Sequence, residues 1–149
     1  MLKTEVSVQE TIDRLIDACG DLIPEYMNNP EDAKISNGNV AICIINKEGK
    51  VFGKLYGANM IRTRESYRVA WTKASQVWIT GMRTLDFEKF YFNNLAKGES
   101  FGIEAPDLIG WEGGQPIKLS DGTELYIGFS GFRGINDIEI VLRGLAALM

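Results

Sequence analysis

Apolar and polar residues alternate most clearly towards the C-terminus, where Leu125, Ile127 and Phe129 occupy every second position. This period of two is typical of a β-strand with one face in a hydrophobic core. We therefore predict a central strand over 124–131. The two glycines of the segment 130–134 then break the pattern and predict a tight turn.

The residues after this turn predict an amphipathic helix. Asn136 is a typical helix-capping residue, and Glu139 lies three positions further on, as in a capping box. A strand that leads through a glycine turn into a capped helix can leave backbone N–H groups free for an anion. The alternative is a turn without a ligand, in which only glycine adopts the required dihedral angles. Apolar residues recur at helical spacing at Ile138, Val141, Leu142, Leu145 and Leu148.

Helical spacing also predicts two long helices earlier in the chain. The first follows a capping box at 7–10 and covers 8–27. The second covers 63–81 and is predicted to be capped by its first residue, a threonine. Segments 28–32 and 36–39 contain the asparagine, proline and glycine residues of loops.

The second long helix carries large aromatic residues. Tyr67, Trp71 and Trp78 recur on one side, together with small residues that allow a close approach to a sheet. We interpret this side as core or subunit interface, because large aromatic residues on a helix usually pack. Arg64 and Arg68 are predicted to lie on the opposite side.

Three further strands are predicted. The strand over 40–45 is apolar on both faces, as expected in the middle of a covered sheet. Its hairpin partner covers 51–56, and a strand over 116–119 is expected to pair with 124–131. A short helix over 85–95 carries four aromatic residues and predicts a subunit interface.

The resulting order is helix, hairpin, helix, hairpin, helix. Antiparallel hairpins with helices packed on the sheet predict an α+β fold of two or three layers. At 149 residues without a linker or an internal repeat, the chain is expected to form a single domain, 1–149.

Composition limits the classes of function. The net charge of −4 and a pI near 4.9 give no electrostatic reason to expect nucleic acid as a partner. The longest apolar run has six residues, so no membrane partner is predicted, and the start of the chain lacks a signal-peptide core. Cys19 and Cys43 have apolar neighbours and are predicted to be buried and reduced, which favours a cytoplasmic location.

The chain contains no histidine. Its absence excludes Ser-His-Asp and Cys-His catalytic centres and removes the commonest metal ligand. No cluster of cysteines replaces it, so no metal site is predicted.

Several short motifs together resemble one family. They are Gly113-Gly114 before Pro116-Ile117, Gly128-x-Ser130-Gly131, Asp137, and Ala70-x-x-Lys73-Ala74. The chain is similar in these motifs to the HbpS-like family, which includes GlcG, the C-terminal domain of PduO and haem-degrading proteins. The region 101–114 is also similar to the UPF0303 branch, and the whole resemblance covers roughly 7–148.

The resemblance implies a profilin-like α/β/α fold, a small homo-oligomer and, in several members, haem as a cofactor. Where the family ligates haem, the ligand is a histidine. In this chain a tyrosine, methionine, cysteine or lysine would have to replace it, with Tyr56, Tyr67, Met60 and Met82 as examples.

Arginines and glycine turns supply the candidate ligand-binding residues. Arginines at the start of the second long helix can clamp a carboxylate or phosphate, and Arg133 can complete an anion site at the glycine turn. The alternative is that the arginines form a solvated helix face. The full candidate set is Arg62, Arg64, Tyr67, Trp71, Gly113, Gly114, Ser130, Gly131 and Arg133.

Two residues are weak catalytic candidates. Glu112 can act as an acid or base if it lies in a cleft, although a lone carboxylate is usually solvated. Lys73 can transfer a proton, but we interpret it first as a surface lysine or a subunit contact. Asp137 is interpreted as a structural carboxylate at the start of the last helix.

The function predicted first is that of a small-molecule binding protein, an oligomer that holds a planar or anionic ligand between aromatic residues and arginines. The alternatives are an accessory or assembly subunit for a pathway enzyme, and a histidine-free enzyme that acts on a small organic acid.

Overall fold

The computed structural model describes residues 2–86 and 112–148. The helices described over their whole length are α1 (Leu2–Tyr26), α2 (Pro30–Ser36), α3 (Met60–Thr80) and α4 (Gly134–Ala146). The strands in the same ranges are β1 (Val40–Asn46), β2 (Val51–Tyr56), β3 (Gly114–Lys118) and β4 (Glu124–Ser130).

The four strands form one antiparallel sheet in the order β2-β1-β4-β3. The hairpins β1–β2 and β3–β4 are joined by the pairing of β1 with β4. The predicted strand over 124–131 therefore lies at the centre of the sheet. The prediction of an α+β fold built from two hairpins is confirmed.

Helices cover both faces of the sheet. On one face α1 and α4 pack against the larger part of the core, to which the sheet contributes Val40, Ile42, Ile44, Leu125, Ile127 and Phe129. On the other face Ala70 and Ala74 of α3 pack against Ala41 and Cys43 of β1. This three-layer arrangement confirms the predicted α/β/α architecture.

The approach of α3 to β4 is very close. A Cβ atom built on Gly128 would lie 2.1 Å from the carbonyl oxygen of Ala70 and 2.7 Å from the backbone nitrogen of Ala74. Both neighbours are helix backbone, which cannot give way as a flexible side chain would. Glycine at this position therefore sets the distance between the helix and the sheet.

Two predictions about the first 40 residues are wrong. Helix α1 begins at Leu2, so the capping box at 7–10 lies inside the helix. Residues 30–32 and residue 36, which were predicted as parts of two loops, belong to α2, because Asn29 accepts hydrogen bonds from the first backbone N–H groups and Pro30 opens the helix.

The predicted caps of the later helices also differ from the observed ones. Asn59 caps α3, and the side chain of Thr63 instead donates to the carbonyl of Asn59 one turn earlier. Helix α4 begins after Arg133, which makes no side-chain cap, so Asn136 lies within the first turn. Its predicted capping role is wrong.

Three predictions remain, which concern the cysteines, membrane-spanning helices and the aromatic segment. Cys19 and Cys43 are buried free thiols, as predicted. None of the helices in the described ranges is long and apolar enough to span a bilayer. The aromatic segment 85–95 lies almost entirely outside the described residues.

Gly128→Ala is expected to lower the free energy of unfolding by about 3 kcal/mol, the upper range for overpacking, because its new methyl group meets backbone atoms. Gly81→Ala is a suitable control, since Gly81 ends α3 with a left-handed φ of 71° and open space around it. That change should cost only about 1 kcal/mol. Urea unfolding measures both values, and equal costs would contradict this view of α3 packing.

Candidate functional site

Lys73 lies at the centre of the site and is buried, with 2% of its surface exposed. It leaves the inner face of α3 and reaches the end of the sheet. There its Nζ donates to the carbonyl oxygen of Phe129 at 2.9 Å and to Oδ2 of Asp137 at 3.2 Å. The interpretation of Lys73 as a surface lysine is therefore wrong.

Asp137, also 2% exposed, links this lysine to the start of α4. Its Oδ1 atom accepts a hydrogen bond of 2.9 Å from the backbone N–H of Phe132. One carboxylate thus holds the turn before α4 with one oxygen and α3 with the other. The ion pair connects the helical layers on the two faces of the sheet.

The glycine motifs of the sequence lie around the lysine side chain. A Cβ atom on Gly113 would lie 2.6 Å from Nζ of Lys73, and one on Gly114 would lie 3.2 Å from its Cβ atom. Gly113 has a φ of 122°, and its carbonyl oxygen accepts from the backbone N–H of Phe129. These glycines leave room for the lysine side chain.

Burial opposes charge on both partners of the pair. It raises the pKa of Asp137 to about 7, against the lowering effect of the Lys73 ammonium and the hydrogen bond from Phe132. It lowers the pKa of Lys73, while the charges of Asp137 and Glu112 act in the opposite direction. The pair is therefore electrostatically coupled, and removal of one partner changes the proton affinity of the other.

Glu112 lies beside this pair. A Cβ atom on Gly134, the first residue of α4, would lie 3.0 Å from the Cβ atom of Glu112. The structure thus brings both weak catalytic candidates, Glu112 and Lys73, to one end of the sheet, together with Gly113 and Gly114. Their catalytic role stays a prediction.

Arg133 lies at the glycine turn, but carboxylates of α2 already face its guanidinium. Its backbone N–H donates to Oδ1 of Asp32 at 2.9 Å, and its Nη1 donates to Oε2 of Glu31 at 2.9 Å. The side-chain amide of Asn136 donates to the same Asp32 carboxylate. Burial opposes ionisation of Asp32, but these hydrogen bonds hold its pKa below the usual value.

The other candidates at this turn have steric roles. Gly131 has a φ of 132°, and a Cβ atom there would lie 2.4 Å from Cγ1 of Val40. Ser130 is buried opposite Ala41 in the sheet. The anion that this turn holds in the structure is the side chain of Asp32.

The outer face of α3 combines an arginine with aromatic rings. Arg64, Tyr67 and Trp71 follow at helical spacing, and Trp71 is 47% exposed. The Tyr67 ring covers Gly53 of β2, and its hydroxyl donates to Sγ of Cys43. Tyr67 therefore packs on the sheet together with Ala70 and Ala74, as predicted for this side of α3, whereas Trp71 and Trp78 are exposed.

Arg62 is the remaining arginine of the candidate set, and its side chain contacts α2. Arg62 donates to the carbonyl of Ile35 near the end of α2, whereas Arg133 binds side chains of its first turn. Arg62 and Arg133 are therefore at opposite ends of α2. Their assignment to a ligand site stays a prediction.

Sequence reasoning missed three residues of this region. Asp32 and Asn136 are 104 positions apart in the chain, and no local pattern joins them. Thr84 is buried, and its Oγ1 accepts from the backbone N–H of Gly114. The only available signal was the Asn29-Pro30 pair, which marks a helix start at α2.

Comparison with solved structures identifies the fold. PduOC in its complex with haem is 17% identical, with a TM-score of 0.66 over 93% of this chain and 91% of that one. The chain has the fold of the HbpS proteins. A double mutant of HbpS from Streptomyces reticuli is 17% identical, with a TM-score of 0.63 over 94% of this chain and 85% of that one.

The Klebsiella pneumoniae protein ORFY, of family DUF336, is 14% identical, with a TM-score of 0.64 over 91% of this chain and 90% of that one. Neither a protein-family model nor a curated protein matches the chain. The predicted resemblance is thus confirmed at the level of fold.

Most of the side chains considered as replacements for a histidine ligand are not suited to bind haem iron. The hydroxyls of Tyr56 and Tyr67 donate to Ile16 and Cys43, and burial raises the pKa of both phenols, which disfavours the phenolate that binds iron. Burial also raises the pKa of Cys43 to about 11 and that of Cys19 to about 12. The Lys73 ammonium is already bound by Phe129 and Asp137, so the thioethers of Met60 and Met82 are left among the described residues considered above.

Lys73→Met is expected to destabilise the fold by about 3–5 kcal/mol near pH 8, because it leaves the Asp137 carboxylate buried without its cation. Without the ammonium, burial favours the neutral carboxyl. Stability should therefore return as the pH falls from the raised folded-state pKa towards the unfolded value of about 3.9. Urea unfolding at about pH 5 and about pH 8 measures this difference, with exposed Lys118→Met as the control. The same loss at both pH values would contradict the coupling.

Proposed function

We propose that the chain is a small homo-oligomeric binding protein of the cytoplasm, similar in function to the HbpS-like proteins. Its ligand is planar or anionic and is held at the outer face of α3. Recognition rests on aromatic and arginine side chains and does not depend on ligation of a metal. The two buried, unpaired cysteines support a reducing location.

The observation that carries this proposal is the row of Arg64, Tyr67 and Trp71 on α3. Residues at this spacing share one helix face, so a ring system that stacks on the indole lies within reach of the guanidinium. Arg64 makes no hydrogen bond or ion pair with another described residue, and its charge is available to a carboxylate. A conjugated molecule with carboxylate groups satisfies both requirements.

The same side of the molecule supports assembly. Strand β2 is an outer strand of the sheet and has an unpaired edge among the described residues. Exposed large hydrophobic residues concentrate on β2 and α3, at Val51, Leu55, Met60, Ile61, Trp71, Trp78 and Ile79. A second copy that covers this surface would remove the apolar area from water and enclose Arg64, Tyr67 and Trp71.

An accessory subunit is the second candidate function. It is favoured by the same exposed surface if a different protein, and not another copy, covers β2 and α3. An enzyme is the third candidate. Glu112 would have to act beside the buried Lys73, whose ammonium is occupied by Phe129 and Asp137.

Ligand binding is tested by titration with protoporphyrin IX and haemin in parallel. Because recognition is assigned to side chains and not to iron, both should bind with similar affinity. Trp71→Ala should weaken binding at least about tenfold and Arg64→Gln about fivefold, since one removes the stacking surface and the other the cation. Ile135→Ala, at an exposed position of the opposite helical layer, is the control. Haemin binding without protoporphyrin binding would indicate iron ligation, and no binding of either would overturn the proposed ligand class.

Leu55→Glu is expected to convert the oligomer into smaller species, because it places a charge on the exposed edge strand. Sedimentation velocity measures the mass, and Ile135→Glu adds the same charge to an exposed position of the opposite layer as a control. A wild-type chain that sediments as a monomer, or a Leu55→Glu variant of unchanged mass, would contradict assembly through this face.

A further inference from the structure

A groove lies on the side of the sheet opposite α3. It is bounded by the beginning of α1, the end of α4, and the end of β3 with the turn that follows. Its volume of about 510 Å³ is in the range of sites that hold small organic ligands. None of the residues of the proposed α3 site lines it.

The floor of the groove is apolar. Its apolar lining includes Leu142 and Leu145 of α4, Ile117 of β3 and Val8 of α1. Leu142 is 46% exposed, although it follows the buried Val141 in α4. An alkyl or aryl group that fills the groove would remove this leucine from water.

The rim of the groove is cationic. Arg14 and Lys118 line it and make no ion pair with another described residue. Asp121 is the acidic residue of the lining, and its Oδ1 accepts a hydrogen bond of 2.9 Å from the backbone N–H of Thr123. The hydroxyl of Ser120 adds a further hydrogen-bond donor.

We propose that this groove binds an amphipathic monocarboxylate, such as a medium-chain fatty acid or an aryl-alkyl acid. The chain of the ligand lies on Leu142, Leu145 and Ile117, and its carboxylate lies at the rim between Arg14 and Lys118. Charge complementarity decides the class of ligand, because two unpaired cations next to an apolar floor match a molecule with one anionic end.

This site is independent of the proposed function. It lies on the helical layer formed by α1 and α4, whereas the arginine and aromatic row lies on α3. Trp71→Ala therefore tests one site and leaves the other intact. Failure of either proposal can be recognised without reference to the other.

The test is calorimetric titration of the purified full chain with decanoate, below the concentration at which it forms micelles. Nonyltrimethylammonium serves as the matched ligand, since it has the same alkyl tail and the opposite charge. Decanoate should bind at one molecule per chain and at least about fivefold more tightly than the ammonium compound. Equal affinity for the two, or no saturable binding of decanoate, overturns the proposal.

Variants locate the binding site. Leu142→Glu introduces a carboxylate at an exposed position of the floor and should weaken decanoate binding at least about tenfold. Arg14→Gln combined with Lys118→Gln should abolish the preference for decanoate over the ammonium compound and leave a weak apolar affinity. Trp71→Ala should not change the affinity, and circular dichroism verifies the fold of each variant. Decanoate affinity that is unchanged in Leu142→Glu overturns the site. So does a fall in oligomer mass in Leu142→Glu, which would assign the groove to a second copy of the chain.

Discussion

The ammonium group of Lys73 is held between two helical layers by a carboxylate and a carbonyl, in surroundings from which water is excluded. An unpaired charge at such a position costs several kcal/mol, so Lys73 and Asp137 stabilise the fold as a pair. The pair fixes where α3 crosses the sheet and where α4 begins. The close approach of α3 to Gly128 follows from the same geometry, because the lysine side chain must pass the strand to reach its partner.

This geometry explains the most recognisable motifs of the sequence. Turns that contain glycines resemble a phosphate or anion loop, because both need backbone without side chains. Here the space at Gly113 and Gly114 is filled by Lys73, and the space at Gly131 by Val40. These glycine motifs are therefore explained by packing within the chain.

Strands and their pairing were predictable from the sequence, whereas contacts between distant segments were not. Alternation at Leu125, Ile127 and Phe129 has one physical interpretation, because a strand that is shifted by one residue would expose its apolar face. Helix α3 is different, since it carries apolar residues on both sides. A helical repeat alone did not indicate that Lys73 would be buried and Trp71 exposed. Likewise, the hydrogen bond from Arg133 to Asp32 joins residues about 100 positions apart in the chain. The local sequence contains no indication of this contact.

Among the described strands β2 has an open edge, and this edge affects the solubility of the chain. Unpaired N–H and C=O groups next to exposed apolar side chains form a template on which any extended segment can add a strand. If another copy normally covers the surface, the solubility of the protein depends on its assembly. A mutation that weakens the contact between copies would then also lower the solubility. Lys54, which lies on this edge strand beside Leu55, then serves as the charge that discourages indiscriminate pairing.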